Sequence, residues 1–415
     1  MKRITFKLSS LKLSNCKIIA LRLSKLKLKA LNLSTLSLAL CLVASSPAIY
    51  AQTASATSII VKTETGNIQV KTIAQGLDNV WGMAFLPDGS MLVTERAGRM
   101  RIVSAAGKVG EPLTGLPPLY AKGQGGLLDV VLAPDFASSK KIYFSFSEPA
   151  EGDASELNST AVSFATLNGN KLENLSRVFS QQPKVNSGHN FGSRLVWAPD
   201  GTLFITLGDR YSEKDSAQTL DNHLGKVVRI NADGSVPKDN PFINTAGALP
   251  EIWSIGHRNM QGAAINPTSK VLWTGEHGPQ GGDELNIDEA GKNYGWPVIT
   301  YGENYGGGKI GEGTHKAGME QPVYKWVPSI ATAGFIFYTG DKFPQWQNNI
   351  LLASLKEKTL VRLVLDGDKI IKEERLLKNE LGQRLRSVVQ GPDGLIYLVT
   401  DEAKSKIYQI SPQQS

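Results

Sequence analysis

A short pattern of apolar and polar positions recurs six times along the chain. Each copy has an apolar pair, a turn that is often Pro-Asp-Gly, and a run of alternating β-formers that ends in Thr, Ser or Gly. A turn between two short alternating runs is typical of a β-hairpin, and no long segment has helical periodicity. The six copies lie at 83–95, 133–145, 197–206, 265–274, 335–354 and 391–400.

Six hairpin units with a spacing of about 45 to 70 residues predict blades arranged radially. We therefore expect an all-β fold, a six-bladed β-propeller with four-stranded antiparallel blades. A pair of β-sandwiches is the alternative, but the spacing of the copies argues against it. The strand at 58–62 is expected beside the strand at 406–410 in the last blade, because closing the ring removes two exposed edges. Loop-rich inserts such as 275–326 are expected on one rim.

The first 51 residues differ from the rest of the chain. They hold nine Lys or Arg and no acidic residue, and an apolar run at 36–44 is followed by a short segment that ends with the small residue Ala51 before the polar Gln52. This order is typical of a secretory signal peptide that is cleaved after Ala51. We expect residues 1–51 to be the signal peptide and residues 52–415 to be a single six-bladed propeller catalytic domain in the periplasm. An uncleaved membrane anchor is the alternative.

Removing this leader changes the charge and the cysteine content of the protein. The whole chain has a formal charge of +7, but the part after residue 51 has 36 basic and 38 acidic residues. A body with this balance is not expected to bind nucleic acid non-specifically. Both cysteines, Cys16 and Cys41, are in the leader. The predicted mature protein therefore has no disulfide, thiolate nucleophile or Cys-ligated zinc.

Polar segments interrupt the repeat at positions where packing does not require polar residues. His189 follows a glycine in a loop that enters a strand, where a neutral imidazole could serve as a general base. The alternative is a loop histidine that hydrogen-bonds the backbone. Arg258 and Asn259 together offer a cation and an amide that suit an oxyanion, and a structural salt bridge is the alternative for Arg258. The segments are 186–195, 256–262 and 275–286.

Oxygen donors are concentrated in the third of these segments. Gly278 and Pro279 lie in a Gly-rich loop, and Asp283 and Glu284 follow them with no soft ligand nearby. Oxygen donors suit a hard cation, and calcium tolerates the irregular geometry of such a loop better than magnesium does. From composition alone, solvated turn acids are the alternative.

A cationic cluster lies in the last third of the chain. Lys356 follows one predicted strand, and Arg384 and Arg386 are two residues apart on another, so the two arginines are expected to share a face. Two cations on one face repel each other unless an anion lies between them. A ligand with several carboxylates is one candidate for that anion, and the local residues Glu380 and Asp401 are the other.

Taken together, these motifs resemble a known family. They closely resemble the soluble aldose sugar dehydrogenases, which depend on pyrroloquinoline quinone (PQQ) and are related to soluble quinoprotein glucose dehydrogenase. The likeness runs in order from about residue 70 to 412 and is specific at 276–297. The family is a six-bladed propeller, which agrees with the independent blade count. The segments that carry the resemblance are 123–129, 186–195, 256–259, 276–286 and 291–297.

The resemblance implies a role for each matching position. His189 matches the catalytic base that takes the proton of the sugar anomeric hydroxyl, and Arg258 matches the arginine beside the quinone carbonyl. Carbonyls of Gly278 and Pro279 match ligands of a calcium ion next to PQQ. Glu284, and Tyr294 through its carbonyl, match a second, structural calcium site. The positions that match cofactor-binding residues are Gln124, Arg258, Asn259, Tyr305, Lys356, Arg384 and Arg386.

The implied activity is oxidation of the C1 hydroxyl of aldoses to lactones, with electrons passed to a small-molecule or protein acceptor. The chain departs from the glucose dehydrogenase pattern at Gly188, where that enzyme has an Asp, so tight selectivity for glucose is not expected. We expect no stable membrane insertion after signal cleavage, and a monomer or homodimer. A calcium-dependent lactonase-type hydrolase and a non-catalytic sugar-binding propeller are the alternative functions, and fold alone does not separate them.

Overall fold

The computed structural model describes residues 58–152 and 156–413. The predicted signal peptide, its cleavage site and both cysteines lie outside the described residues. Within the described part, six antiparallel sheets account for nearly all of the regular structure. The described part begins with two strands, β1 (Ser58–Thr63) and β2 (Gly66–Leu77).

Each sheet forms one blade of a propeller. Blade 1 contains β3 (Val80–Phe85), β4 (Met91–Glu95), β5 (Arg99–Val103) and β6 (Val109–Pro112). Blade 2 contains β7 (Leu127–Leu132), β8 (Lys141–Pro149), β9 (Asn158–Asn168) and β10 (Lys171–Ser180). Blade 3 contains β11 (Gly192–Trp197), β12 (Leu203–Leu207), β13 (Lys226–Ile230) and β14 (Ile252–Ile255).

The second half of the chain supplies the other three blades. Blade 4 contains β15 (Met260–Ile265), β16 (Leu272–Glu276), β17 (Asp283–Asp288) and β18 (Tyr324–Trp326). Blade 5 contains β19 (Thr332–Phe337), β20 (Ile350–Ser354), β21 (Leu360–Asp366) and β22 (Lys369–Leu376). Blade 6 contains β23 (Leu385–Gln390), β24 (Ile396–Thr400) and β25 (Ser405–Pro412), and β2 and β1 complete it.

This architecture confirms the predicted six-bladed propeller. Each of the six recurring patterns spans the turn between the first and second strands of one blade and reaches into its second strand, and the first strands of neighbouring blades contact one another around the centre. Apolar residues of one blade pack against the next, as Trp273 of blade 4 does against Phe337 of blade 5, with ring centroids 5.4 Å apart. The core is therefore a ring of inter-blade layers.

Ring closure differs from the prediction in one respect. The strand at 58–62 joins the last blade, but it does not lie beside the strand at 406–410. A turn at Glu64 and Thr65 folds β1 back along β2, and β2 pairs with β25 from Ile68 opposite Pro412 to Leu77 opposite Ser405. The 12-residue β2 covers the edge of β25, so β1 becomes a fifth, outer strand.

The direction of the strands decides which loops share a rim. In each four-stranded antiparallel blade, the loop between the second and third strands and the linker to the next blade emerge at the same end. We call this end the site rim. The turns of the recurring patterns, between the first and second strands, emerge at the opposite end.

The insert predicted at 275–326 is more ordered than a single loop. It contains β17 and β18, and its irregular parts are 277–282 and 289–323. The first part lies on the site rim. The second leaves β17 at the opposite end, but it returns to the site rim, where Gln280 forms a β-bridge with Glu303.

Helices are a minor part of the described residues. The two α-helices, α1 (Phe136–Ser139) and α2 (Lys378–Leu381), have four residues each, and 3₁₀ turns lie at Lys214–Gln218 and Pro344–Trp346. In the described ranges, no helix has the length and apolar character needed to cross a membrane.

Candidate active site

The predicted site residues come from elements that share the site rim. The linkers between blades carry Gln124, His189, Arg258, Asn259 and Arg384. Arg386 is the second residue of β23, directly after such a linker. Gly278, Pro279 and Lys356 lie in loops between second and third strands. Residues that are far apart in sequence therefore meet at one end of the propeller, and hydrogen bonds join most of them.

The loop that carries His189 is held on its main chain. Gln124 donates its backbone N–H to the carbonyl of Gly188 (2.8 Å), and its Oε1 accepts the backbone N–H of Asn190 (2.8 Å). Gly123 makes this approach possible, because a Cβ there would lie 2.5 Å from the Gly188 carbonyl oxygen. The imidazole of His189 itself is exposed on the rim.

A buried arginine also holds the loop that carries His189, through hydrogen bonds to its backbone. Arg210 is fully buried and donates Nε–H to the carbonyl of His189 (3.0 Å) and Nη1–H to the carbonyl of Asn158 (2.9 Å). Its Nη2 donates to Asn158 Oδ1 and to the carbonyl of Ser187. Burial lowers the pKa of Arg210 to about 10, so the guanidinium stays charged at neutral pH. The side chain is thus committed to fixing the backbone around His189.

Asp209 connects this loop to Arg258 and to Trp296. Its Oδ1 accepts from Asn190 Nδ2 (2.8 Å), and its Oδ2 accepts from Trp296 Nε1 (2.8 Å). Its backbone N–H donates to the carbonyl of Arg258 (2.8 Å). Burial raises the pKa of Asp209, although the charge of Arg258 and these hydrogen bonds oppose the shift.

Asn259 lies in a second chain of hydrogen bonds toward the arginine cluster. Asn259 Oδ1 accepts the backbone N–H of Gly192 and one Gln261 Nε2–H, both at 3.1 Å. Gln261 Oε1 in turn accepts from Arg386 Nη1 (2.8 Å). The residues predicted at 259 and 386 are therefore joined through one intervening glutamine.

Arg258 does not form the structural salt bridge that was its alternative role. Among the described residues, no carboxylate lies within ion-pair distance of its guanidinium. Nη1 instead donates to the carbonyls of His277 (3.0 Å) and Gly278 (2.8 Å), and the guanidinium packs over the Trp296 ring at 5.4 Å. A carbonyl oxygen has two lone pairs, so the Gly278 carbonyl can accept this bond and still bind a cation.

Arg384 lies just before β23 rather than on it, but both arginines near the C-terminus approach one local anion, Asp401. Its Oδ2 lies 2.6 Å from Arg386 Nη2 and 3.7 Å from Arg384 Nη2. Arg96, which the sequence did not single out, lies 3.7 Å from Oδ1. Burial would raise the pKa of Asp401, but the three guanidinium groups outweigh it and lower the pKa. Glu402 Oε1 accepts the backbone N–H of Arg384 (2.9 Å), so two carboxylates against three guanidinium groups leave a net positive charge on this part of the rim.

Lys356 and Tyr305 lie apart from these networks. Lys356 is in the loop after β20 and is exposed, and its ammonium group has no hydrogen bond or ion pair with the described residues. Tyr305 belongs to the long run after β17 and is 64% exposed. The geometry gives neither residue a contact with the groups described above.

A small cavity lies between Arg258 and the candidate metal ligands. Its volume of about 10 Å³ has room for about one water molecule or one metal ion. Gly278, Glu284 and Tyr294 all line it, whereas Pro279 does not. Three of the four predicted metal-binding residues thus surround one cavity.

Oxygen atoms of Glu276, Glu284 and Asn286 lie together beside this cavity. Asn286 donates Nδ2–H to Glu276 Oε1 (3.3 Å) and Glu284 Oε2 (3.4 Å), whereas its own Oδ1 is buried without a hydrogen-bond partner in the described structure. Burial raises the pKa of Glu284 to about 8, and the charge of Glu276 adds to the rise. No group of three or more His, Cys, Asp or Glu side chains in the described residues has metal-binding geometry, so backbone carbonyls would have to supply part of any ligand set.

Asp283 has a different position from its neighbour Glu284. Its Oδ1 accepts the backbone N–H of Gly278 (3.0 Å), and its Oδ2 accepts from Ser329 Oγ (2.8 Å) and the backbone N–H groups of Ile330 (3.0 Å) and Ala331 (2.6 Å). The carboxylate is fully buried. Asp283 therefore joins the Gly278 loop to the linker between blades 4 and 5.

Two histidines lie behind the rim, His257 fully buried and His277 partly buried. His257 is between Glu276 (3.1 Å) and Asp288 (3.3 Å) and stacks on Tyr294. Burial alone would lower the pKa of His257, but the two carboxylates raise it to about 9. Burial lowers the pKa of His277 to about 4, so this imidazole is neutral at neutral pH. His257 therefore supplies a buried positive charge beside the carboxylates, and His277 supplies none.

Sequence reasoning missed Asp209, Arg210 and Arg96. Arg96 directly follows β4, and Asp209 and Arg210 follow β12 after Gly208, so all three lie where the second strand of a blade ends. Their position could have indicated a role at the site, because the loops between second and third strands all reach the site rim. Their hydrogen-bond partners could not be predicted, because they lie on other blades.

Comparisons with known proteins agree with this arrangement. Residues 77–409 match the family model described as Glucose / Sorbosone dehydrogenase. The chain is 46% identical over 351 residues to the aldose sugar dehydrogenase YliI of Escherichia coli strain K12, covering 83% of this chain and 93% of that protein.

Two solved structures are similar along most of their length. The apo form of the soluble aldose sugar dehydrogenase of Escherichia coli has a TM-score of 0.80 at 46% identity, covering 83% of this chain and 100% of that one. The PQQ-bound form of an aldose sugar dehydrogenase from Streptomyces coelicolor has a TM-score of 0.68 at 26% identity, covering 86% and 99%. By its fold and by these matches, the chain belongs to the glucose/sorbosone dehydrogenase family.

Proposed function

We propose that this protein is a PQQ- and calcium-dependent aldose sugar dehydrogenase that oxidises the C1 hydroxyl of aldoses to lactones. The observation that carries the proposal is the hydrogen-bonded rim that joins the loop of His189 to Asn259, Arg258 and the arginine cluster. A relative with the same fold was solved with PQQ bound. Family membership favours a dehydrogenase over the lactonase-type hydrolase and the sugar-binding propeller.

The charges of the rim fit a cofactor that carries several carboxylates. Arg96, Arg384 and Arg386 surround Asp401 with an excess of positive charge. Arg386 Nε is buried without a hydrogen-bond partner in the described structure, and Lys356 is exposed. Charge-assisted hydrogen bonds to carboxylates are among the stronger polar contacts in proteins. We assign Lys356, Arg384 and Arg386 to the carboxylates of PQQ, and Gln124, Asn259 and Tyr305 to its surroundings.

The donor set behind Arg258 fits calcium. Glu284 and the unpartnered Oδ1 of Asn286 offer oxygen atoms, which bind a hard cation well. A cation in the adjacent cavity would also stabilise the ionised form of Glu284, whose pKa is raised in its absence. We assign Glu284 and the Tyr294 carbonyl to a structural calcium ion, and the Gly278 and Pro279 carbonyls to a calcium ion beside the cofactor.

In the proposed reaction, the protein moves a proton and fixes the reacting groups. PQQ, when bound, supplies the acceptor for the hydride that leaves C1 of the sugar. A ring nitrogen of His189 takes the proton of the C1 hydroxyl as the C1 carbonyl forms. Because the imidazole is exposed, the proton can pass on to water. Arg210 and Gln124 hold the backbone of this loop, so the base is carried on a fixed main chain.

Arg258 would act on charge rather than on protons. Its guanidinium is held by the carbonyls of His277 and Gly278 and packs over Trp296. A preorganised cation stabilises negative charge that develops on a neighbouring oxygen without reorganising during the reaction. The remaining parts of the proposal are an external electron acceptor, export to the periplasm through the signal peptide, and a monomeric or homodimeric state.

The deciding experiment is reconstitution of the purified protein with PQQ and calcium. A panel of aldoses is then offered with an artificial dye as the electron acceptor, and the products are identified. Dye reduction that requires both PQQ and calcium, with lactone formation, is the expected result. Lactone hydrolysis without PQQ would favour the hydrolase, and sugar binding without either reaction would favour the binding propeller.

Removing calcium should lower the stability of the protein. If the ion binds only to the native state, it contributes about 2.7 kcal/mol when its free concentration is about 100 times its Kd. We therefore expect a calcium chelator to lower the melting temperature in calorimetry, and we expect added calcium to restore it better than added magnesium. An unchanged melting curve after prolonged chelation would contradict the structural site.

Replacing one positively charged side chain at a time should weaken PQQ binding more than it slows turnover at saturating PQQ. Each charge-assisted hydrogen bond contributes about 1.5 to 3 kcal/mol, so Lys356→Ala and Arg384→Ala should lower PQQ affinity about ten- to a hundredfold. Arg386→Ala should also destabilise the protein, because Asp401 and Gln261 lose their partner. PQQ titration measures these changes. Lys358→Ala, in the same loop as Lys356, is the control, and normal affinity in all three variants would reduce the cluster to a structural network.

A further inference from the structure

An aromatic side chain beside His189 has no structural role that explains its position. Tyr211 is 52% exposed, and the described residues expose only one other large aromatic side chain, Tyr305. Its ring centroid lies 5.6 Å from that of His189 with the planes tilted by 41°. Its hydroxyl forms no hydrogen bond with the described residues. The ring is therefore held at the candidate base with one face available.

The backbone at this position is in an unfavourable conformation. Arg210 and Tyr211 have φ values of 58° and 69°, so two successive non-glycine residues adopt the left-handed region. Such residues cost of the order of 1 to 3 kcal/mol each and tend to cluster at functional sites. Glycine or asparagine would adopt this conformation at lower cost.

Buried groups hold the strained turn in place. Asp209 Oδ1 accepts the backbone N–H of Tyr211 (2.7 Å), and the side chain of Arg210 is bonded to the backbone on both sides of Gly188. Removing the aromatic ring would not break any of these contacts. The fold therefore fixes the backbone of Tyr211 by bonds that do not involve its ring, and leaves the ring exposed.

We propose that Tyr211 is a substrate-binding residue, on whose ring the pyranose ring of an aldose stacks while His189 takes the C1 proton. This inference rests on the proposed function and adds the form of the substrate to it. The C–H bonds of a sugar ring carry partial positive charge and are attracted to the negative face of an aromatic ring. Because stacking does not depend on one pattern of hydroxyl groups, Tyr211 favours ring-form aldoses over linear polyols and accepts several aldoses.

The test compares variants that keep or remove the ring. Tyr211→Ala and Tyr211→Gly should raise the KM for aldopyranoses about three- to tenfold, as expected for one aromatic contact, with kcat and PQQ affinity unchanged. Tyr211→Phe keeps the ring and should behave like the native protein. Tyr211→Gly should also be at least as stable as the native protein, so loss of folding cannot account for its KM. Ile371→Ala, an exposed apolar residue on the outer strand β22, is the control.

A cofactor-free measurement separates this inference from the proposed function. Saturation-transfer NMR should detect binding of a glucose analogue that lacks the C1 hydroxyl, and Tyr211→Ala should weaken the signal whereas Tyr211→Phe should not. If the native protein oxidises no aldose, the proposed function fails, and this contrast still decides the inference. Absence of binding by the native protein, or equal binding by all variants, overturns it. A shifted pH profile of kcat would make Tyr211 a positioning residue of His189, and lower PQQ affinity would make it a cofactor contact; either result overturns the stacking proposal.

Discussion

His189→Ala should lower the turnover number about 10²- to 10⁴-fold. The variant should still fold and bind PQQ. A positioned general base contributes about this factor, because the hydride leaves C1 readily only when the hydroxyl proton is removed as the carbonyl forms. The contacts that fix this loop use the main chain of His189 and its neighbours, so the substitution leaves them in place. Saturated turnover with PQQ and calcium present, measured with a dye acceptor, gives the effect.

Two further variants sharpen this experiment. His189→Gln keeps a polar side chain but no basic ring nitrogen, so it should lose as much turnover as the alanine variant. His315→Gln replaces an exposed histidine of the 289–323 run and should be silent. PQQ titration of each variant separates catalysis from binding. Near-native turnover in His189→Ala would show that the base lies elsewhere on the rim, and the mechanism proposed for His189 would be wrong.

Asp283→Ala should lower the free energy of unfolding by about 3 to 5 kcal/mol. The carboxylate accepts hydrogen bonds from the backbone of Gly278, Ile330 and Ala331 and from Ser329 Oγ, and it is fully buried. Each buried donor that is left without an acceptor costs about 1 to 3 kcal/mol. Denaturant unfolding of the native protein and the variant measures the difference. Asp341→Ala removes a carboxylate that is 79% exposed and should change little.

Asp283→Asn separates the roles of the two carboxylate oxygens, Oδ1 toward Gly278 and Oδ2 toward the linker between blades 4 and 5. The amide oxygen can replace Oδ2 toward Ser329 and Ala331, but the amide NH₂ group would then face the backbone N–H of Gly278. We expect a smaller loss of stability than in Asp283→Ala, together with weaker calcium binding, because the loop that carries Gly278 loses its anchor. Equal calcium affinity in Asp283→Asn and the native protein would contradict this role of the loop.

Gly188 marks a difference from the glucose dehydrogenase pattern that packing does not impose. A Cβ at this position would meet only ordinary contacts, the nearest at 3.6 Å from the Gly123 Cα, and the residue does not have a positive φ. The chain therefore has room for a larger side chain next to His189 but carries none. This openness agrees with the broad acceptance of aldoses proposed for Tyr211.

The sequence by itself determined the blades. The turn residues and the two-residue alternation of a hairpin act over about ten positions, so the six recurring patterns located the first turn and the second strand of every blade. The same local logic identified His189, Arg258 and Asn259 as polar residues in linkers. It did not predict that β2 would separate β1 from β25, because register depends on which edge remains open after the ring has formed.

Only the tertiary structure decided how the rim residues are paired. Asp401 contacts Arg386 within the hairpin of β23 and β24. It contacts Arg96 across the junction between the last blade and the first. Arg210 fixes the carbonyl of His189, and Asp209 reaches Trp296 from 87 positions away. These contacts depend on the ring bringing loops of different blades to one end, and no local pattern encodes which loops will be neighbours. The sequence therefore specified the groups available for chemistry, and ring closure fixed their partners, charges and exposure.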